Sequence, residues 1–276
     1  MSISASEVNN LRKATGAGLM DCKKALTETN GDFDAAVDFL RKRGAKIAAK
    51  RADREATEGA VIALTSEDNK TGVIVLLSCE TDFVAKNDGF VSFAKEIAEV
   101  ALAEKPADIA ALKTLTVGAV ALEARLLEEV AKIGEKIDVV HYELVEGDNV
   151  VSYIHAGNRM GVLVEMNNSA TDANIAAGKD VAMQIAAMNP VAVDKDGVDA
   201  ATVEREMNIG REQAIAEGKP ENIIDRIAEG KLQKFYKENT LLNQDFVKDS
   251  SMSVAKMLDG VEKGLTIKQF KRVQLG

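Results

Sequence analysis

The side chains that most often do covalent or metal chemistry are scarce in this 276-residue chain. It holds two His (His141 and His155), two Cys (Cys22 and Cys79) and no Trp. The cysteines form no CxxC pair, and this set is too small for a zinc ribbon or for several metal centres. No GxxxxGK[ST] phosphate loop and no GxSxG elbow occur. The only close glycine pair is Gly16-Ala17-Gly18, with Asp21 where a dinucleotide fingerprint needs its third glycine. No cofactor is expected. What remains is recognition chemistry, concentrated at residues 79–87, CETDFVAKN. Thr81 and Asp82 are short polar side chains suited to capping a turn. Phe83 and Val84 follow them. Phe83 reads either as a core aromatic or as an interface anchor on a strand-to-helix turn.

The elements that must position these residues begin with composition. The length suits two domains of about 150 residues. An apolar fraction of 46% is too high for a disordered chain. With only 8 Phe and 3 Tyr, aliphatic residues must fill the cores. The longest apolar runs, such as 73–77, fall far short of the ~20 residues a membrane helix needs. The N-terminus has neither the basic nor the apolar region of a signal peptide. Two isolated cysteines fit a reducing cytoplasm. The net charge of −9 is uneven. Residues 1–54 carry 11 Lys/Arg and 7 Asp/Glu, hence +4, leaving 24 and 37, hence −13, for the remainder. Within the basic segment only Phe33 and Phe39 are aromatic, a thin platform for base stacking. A basic module on an acidic body reads as steering toward a protein partner rather than nucleic acid or membrane.

Four segments follow. In residues 1–54, Ser4 or Ser6 caps a first helix with Val8 and Leu11. A second carries Leu19, Cys22 and Leu26 and ends at Asn30-Gly31. Asp32 caps a third, with Ala36, Val37 and Leu40, expected to stop at Gly44. Residues 45–58 read as a linker. The second segment, to residue 136, has strands at 61–64 and 73–77, a helix at about 88–103 and another at 117–133. The third has strands at 137–145, 150–155 and 162–166 and a helix at about 172–188. The fourth, about 197–237, is an antiparallel helical hairpin around Gly218-Lys219-Pro220, which either projects or packs on a second chain as a homodimer contact. Residues 266–274 alternate like an edge strand of the second half's sheet.

The chain also repeats itself. GVIVLLSCETD (72–82) aligns with GVLVEMNNSATD (161–172) with a one-residue gap, and each copy runs into a helix. The expected fold is α+β: a small three-helix domain (1–54), then a core of two related antiparallel-sheet-plus-helix halves (55–136 and 137–276), with the hairpin inserted in the second. The second half has Ala173 where the first has Phe83, so this architecture does not demand an aromatic there. That favours the anchor.

The motifs LRKATGAGLMDCKKAL (11–26), TDFVAK (81–86), AKIGE (131–135) and SYIHAG (152–157) closely resemble those of the bacterial elongation factor Ts family, in order and spacing along nearly the whole chain. Many members continue past the last strand into a short helical module, whereas this sequence ends at Gly276. The resemblance implies a guanine nucleotide exchange factor, not an enzyme. Its partner is elongation factor Tu, both GDP-bound and nucleotide-free. It implies a ubiquitin-associated-like N-terminal domain that contacts the partner through Leu19 and Met20, with Lys23 nearby. It implies that Thr81, Asp82, Phe83 and Val84 dislocate the partner's Mg²⁺, and that Ile133, Gly134 and His155 make further contacts. Two adjacent apolar residues on a helix cannot both face inward, which independently marks Leu19 or Met20 as a surface contact. His155 also reads as a satisfied structural group, and His141 has no assigned role. Cys22 and Cys79 lie in apolar stretches and are expected to be buried and inert.

Overall fold

The computed structural model describes residues 3–155 and 157–276; residues 1–2 of the first segment and Ala156 of the SYIHAG motif lie outside the described residues. Ser4 opens the first helix through a reciprocal cap. Its hydroxyl accepts from the Glu7 N–H at 3.2 Å, and the Glu7 carboxylate accepts from the Ser4 N–H at 2.7 Å. Helix α1 (Ala5–Thr15) ends where Gly16 turns left-handed, at φ 68°. Helix α2 (Leu19–Glu28) follows, then α3 (Phe33–Lys50), capped by the Asp32 side chain, which accepts from the Ala35 N–H at 2.9 Å. Val8, Leu11, Cys22, Ala25, Leu26, Ala36 and Leu40 form the core of this three-helix unit.

The chain then builds β1 (Glu58–Thr65), β2 (Thr71–Cys79), a single turn α4 (Asp82–Ala85), α5 (Asp88–Glu104), α6 (Ile109–Thr114), a ribbon of β3 (Thr116–Val117) and β4 (Val120–Ala121), α7 (Leu122–Ile133) and β5 (Asp138–Glu146). Strands β1, β2 and β5 form one antiparallel sheet with β2 in the centre. Phe90, Phe93 and Ile97 of α5 and Leu122, Leu126 and Val130 of α7 share a core with Val73, Val75 and Leu77 of that sheet.

The second half follows the same plan with β6 (Asn149–His155), β7 (Met160–Met166) and α8 (Asp172–Met188). An antiparallel hairpin of α9 (Ala200–Ala216) and α10 (Glu221–Asn239) is inserted next. A ribbon of β8 (Asp245–Phe246) and β9 (Asp249–Ser253), α11 (Val254–Val261) and β10 (Ile267–Gln274) complete it. Strand β10 is the edge expected from its alternation; it pairs with β7, giving the order β10-β7-β6. The two sheets face each other over Val61, Ile74, Val145, Val150, Leu163 and Val273. Gly72 and Gly161, equivalent in the repeat, sit where the facing sheets leave no room for a Cβ. A Cβ on Gly72 would lie 2.6 Å from Val150 Cγ1, and one on Gly161 2.8 Å from Val61 Cγ1. The fold is thus α+β, a three-helix domain attached to two antiparallel-sheet-plus-helix halves.

Several elements differ from expectation. Helix α3 does not stop at Gly44 but runs on to Lys50, replacing much of the supposed linker. Gly44 is there for space: a Cβ would run into the Leu127 carbonyl oxygen and crowd Ala131 Cβ at 3.2 Å. Arg41 Nε donates to Glu128 Oε1 at 2.8 Å across the same contact. The helix expected over 117–133 begins only at Leu122, because the β3–β4 ribbon precedes it. The strand expected to open the second half instead hydrogen-bonds to β2 in the first sheet. Helices α6 and α11 were not foreseen. Among the described residues no helix is long and apolar enough to cross a membrane.

Candidate functional site

Thr81 ends the strand β2 region and starts a four-residue turn. Its hydroxyl accepts from the Val84 N–H at 3.4 Å, a helix cap. Val84 and Ala85 pack against the core of the first half. A turn held on that face sends Phe83 the other way, and Phe83 is 84% exposed. It is therefore not a core aromatic. The repeat shows the same device: Thr171 caps α8 by accepting from the Asn174 N–H at 3.2 Å, and Ala173 is exposed in the place of Phe83. The Lys86 ammonium donates to Asp82 at 2.6 Å and holds that exposed carboxyl below the usual range.

This turn is tied to the end of α7. Gly134, with φ 82°, reverses the chain there, and Ile133 leans on the same core. The next residue, Glu135, accepts from the Glu80 and Thr81 N–H groups at 3.0 and 3.1 Å and from the Thr81 hydroxyl at 2.7 Å. Glu80 accepts in turn from the Lys136 N–H at 2.7 Å and from the Arg51 guanidinium at 2.7 and 2.8 Å. Burial pushes the Glu80 carboxyl up, but the Lys136 amide and Arg51 outweigh it and hold it below its ordinary value. Arg51 is the C-cap of α3, so the three-helix unit joins the same network. The sequence reading passed over Glu80, Glu135 and Arg51. Only the place of Glu135 inside AKIGE marked it.

On α2, Leu19 is 51% and Met20 70% exposed, while Cys22 on the opposite face is buried. Lys23 is exposed beside them. A groove of about 520 Å³ between α1 and α2 is lined by Val8, Arg12, Leu19, Met20 and Lys23. The Gly16 turn leading into α2 lies against Lys132 of α7, since a Cβ on Gly16 would be 3.1 Å from Lys132 Cδ. Leu19 and Met20 therefore follow a turn that touches the residue before Ile133.

His155 ends β6, exposed, and its Nδ1 shares a 2.9 Å hydrogen bond with the Tyr153 hydroxyl. Four residues on, Arg159 donates to Glu58 at 2.9 Å, and Glu58 pairs in register with Cys79. The β6–β7 turn therefore sits at the same end of the sandwich as the Phe83 turn. His141 Nε2 shares a 3.0 Å hydrogen bond with Glu143. Both cysteines are buried, and burial pushes the Cys79 thiol up to about 12, far from a nucleophile's range. Among the described residues no group of three or more His, Cys, Asp or Glu could hold a metal. One end of the molecule thus gathers Leu19–Met20, Thr81–Val84, Ile133–Gly134 and, by way of Arg159, His155. Its exposed side chains are apolar at Leu19, Met20 and Phe83 and charged at Lys23 and Lys86.

A sequence model described as "Elongation factor TS" matches residues 80–276. The chain is 51% identical to the elongation factor Ts of Amoebophilus asiaticus over 276 residues, all of both chains. It is 51% identical to that of Cytophaga hutchinsonii over 274 residues, 99% of each. It is 44% identical to that of Porphyromonas gingivalis over 276 residues, 100% of this chain and 99% of the relative. The chain therefore belongs to the elongation factor Ts family, a family of translation elongation factors.

Proposed function

We propose that the chain performs its family's exchange role on elongation factor Tu in the cytoplasm, by inserting Phe83 into the partner so that Mg²⁺ is displaced and the phosphate site loosens. GDP then leaves and GTP enters, with no covalent bond broken. The single observation that carries this reading is the exposed ring of Phe83 on a turn whose sister half holds Ala173. Thr81 and Asp82 shape the turn, and Val84 anchors it. Leu19, Met20 and Lys23 dock the three-helix domain, and Ile133, Gly134 and His155 widen the contact.

The energetics set the size of the task. A GTPase holds GDP through phosphate-loop amides, a lysine and Mg²⁺, so losing the metal's bridging charge weakens the grip. An exchange factor must bind the nucleotide-free partner better than the GDP-bound one. Linkage then weakens GDP by the same factor. A 1,000-fold weakening corresponds to about 4 kcal/mol. One aromatic anchor supplies about 2–4 kcal/mol when buried in an interface, so the remainder has to come from the wider docking surface. The test is release of labelled GDP from purified elongation factor Tu. Saturating chain should accelerate it strongly, and no acceleration would remove the exchange reading.

A further inference from the structure

Helix α4 has four residues, too few to be stable alone, because fixing a first turn gains little hydrogen bonding. Something outside it must define where Phe83 points. Val84 and Ala85 anchor one side. On the other side the Glu135 carboxylate takes three donors: the Glu80 N–H, the Thr81 N–H and the Thr81 hydroxyl. The last of these matters most. A hydroxyl whose proton is committed to Glu135 turns its lone pairs toward the Val84 N–H, so the same residue completes the cap of α4. The Asp82–Lys86 pair closes the turn on itself, whereas Glu135 ties it to the end of α7.

We propose that Glu135 is a positioning residue that holds the Phe83 turn in the orientation from which it enters the partner. This rests on the reading of Phe83 as the working wedge. Without the brace, the turn samples other orientations, and only the competent fraction acts, lowering the apparent effect by that fraction. Pre-organisation of this kind raises the efficiency of an anchor without adding a contact.

The test uses the full chain carrying Glu135→Ala, Glu135→Gln, Phe83→Ala and the Phe83→Ala/Glu135→Ala pair. Glu135→Ala should cut the maximal rate of GDP release at least about tenfold, with a smaller change in the half-saturating concentration. Glu135→Gln keeps a carbonyl oxygen for the two amides, but its NH₂ group cannot accept the Thr81 hydroxyl proton, so its rate should fall between those of the parent and Glu135→Ala. The pair should be no slower than Phe83→Ala alone, because the brace acts through the ring. If Glu135→Ala keeps its full effect in the Phe83→Ala background, the proposal is overturned. A second readout needs no partner. The chain has no Trp, so Phe83→Trp reports the turn alone. Its fluorescence anisotropy should fall when Glu135→Ala is added, and fall less with Glu135→Gln. Unchanged anisotropy in the Glu135→Ala background overturns the proposal whatever the exchange rates. Normal exchange by Phe83→Ala sinks the wedge reading instead, and the anisotropy then decides on Glu135 by itself.

Discussion

The Phe83 ring is 84% exposed, and the proposed function buries it in the partner. An aromatic side chain buries about 150–250 Å² on docking. At about 25 cal/mol per Å² that is about 4–6 kcal/mol before the ordering and desolvation costs of association. Met20, at 70% exposed on a separate element, is the second apolar contact of that proposal. Met20→Ala should weaken association with elongation factor Tu by about 1–2 kcal/mol, or about 5–30-fold, with thermal stability unchanged. Titration calorimetry against nucleotide-free partner checks this, and unaltered affinity would remove Met20 from the interface. Phe83 was legible from one sequence because its own repeat supplies a control, Ala173. Glu135 was not, because its hydrogen bonds join positions 54 and 55 apart in the sequence.

At the level of elements, Gly44 shows how a correct local rule fails. Glycine often ends a helix, yet here it sits inside α3 so that α7 can approach. Local pattern cannot distinguish a stop from a close helix crossing. Helix α11 did carry a readable signal, with Val254, Met257, Leu258 and Val261 at helical spacing. Strand β5 was legible as a strand, but its sheet was not, because pairing partners are tertiary information. The crossing at Gly44 predicts that Gly44→Ala forces α3 away from α7. Overpacking of this kind costs about 1–3 kcal/mol. Chemical denaturation should show that loss, together with slower exchange from a misplaced Leu19 and Met20. A variant as stable and as active as the parent would show that the two helices have room to shift.

At the scale of the whole molecule, two similar halves packed sheet to sheet carry an N-terminal arm. The arm is fixed to the first half by Gly44 at one point and by Arg51 on Glu80 at another. Glu80 has a folded-state pKa below its ordinary value of 4.5. A depressed carboxylate stabilises the fold above its unfolded pKa and loses that contribution as pH falls through the folded value. The parent should therefore lose more stability than Glu80→Gln between about pH 5 and pH 3. Parallel acid curves in denaturant titrations would show that Arg51–Glu80 is not a working link. The repeat was readable in the sequence, and so was the α+β plan; the seat of the arm was not, since it depends on contacts between distant elements. Under the proposed function, this scaffold serves above all to present one ring. Measuring stimulated GDP release from elongation factor Tu by Phe83→Ala tests it most directly. The exposed position leaves the fold intact, with stability within about 0.5 kcal/mol of the parent. Exchange should slow at least about tenfold. A folded Phe83→Ala chain that exchanges GDP at the parent's rate would contradict it.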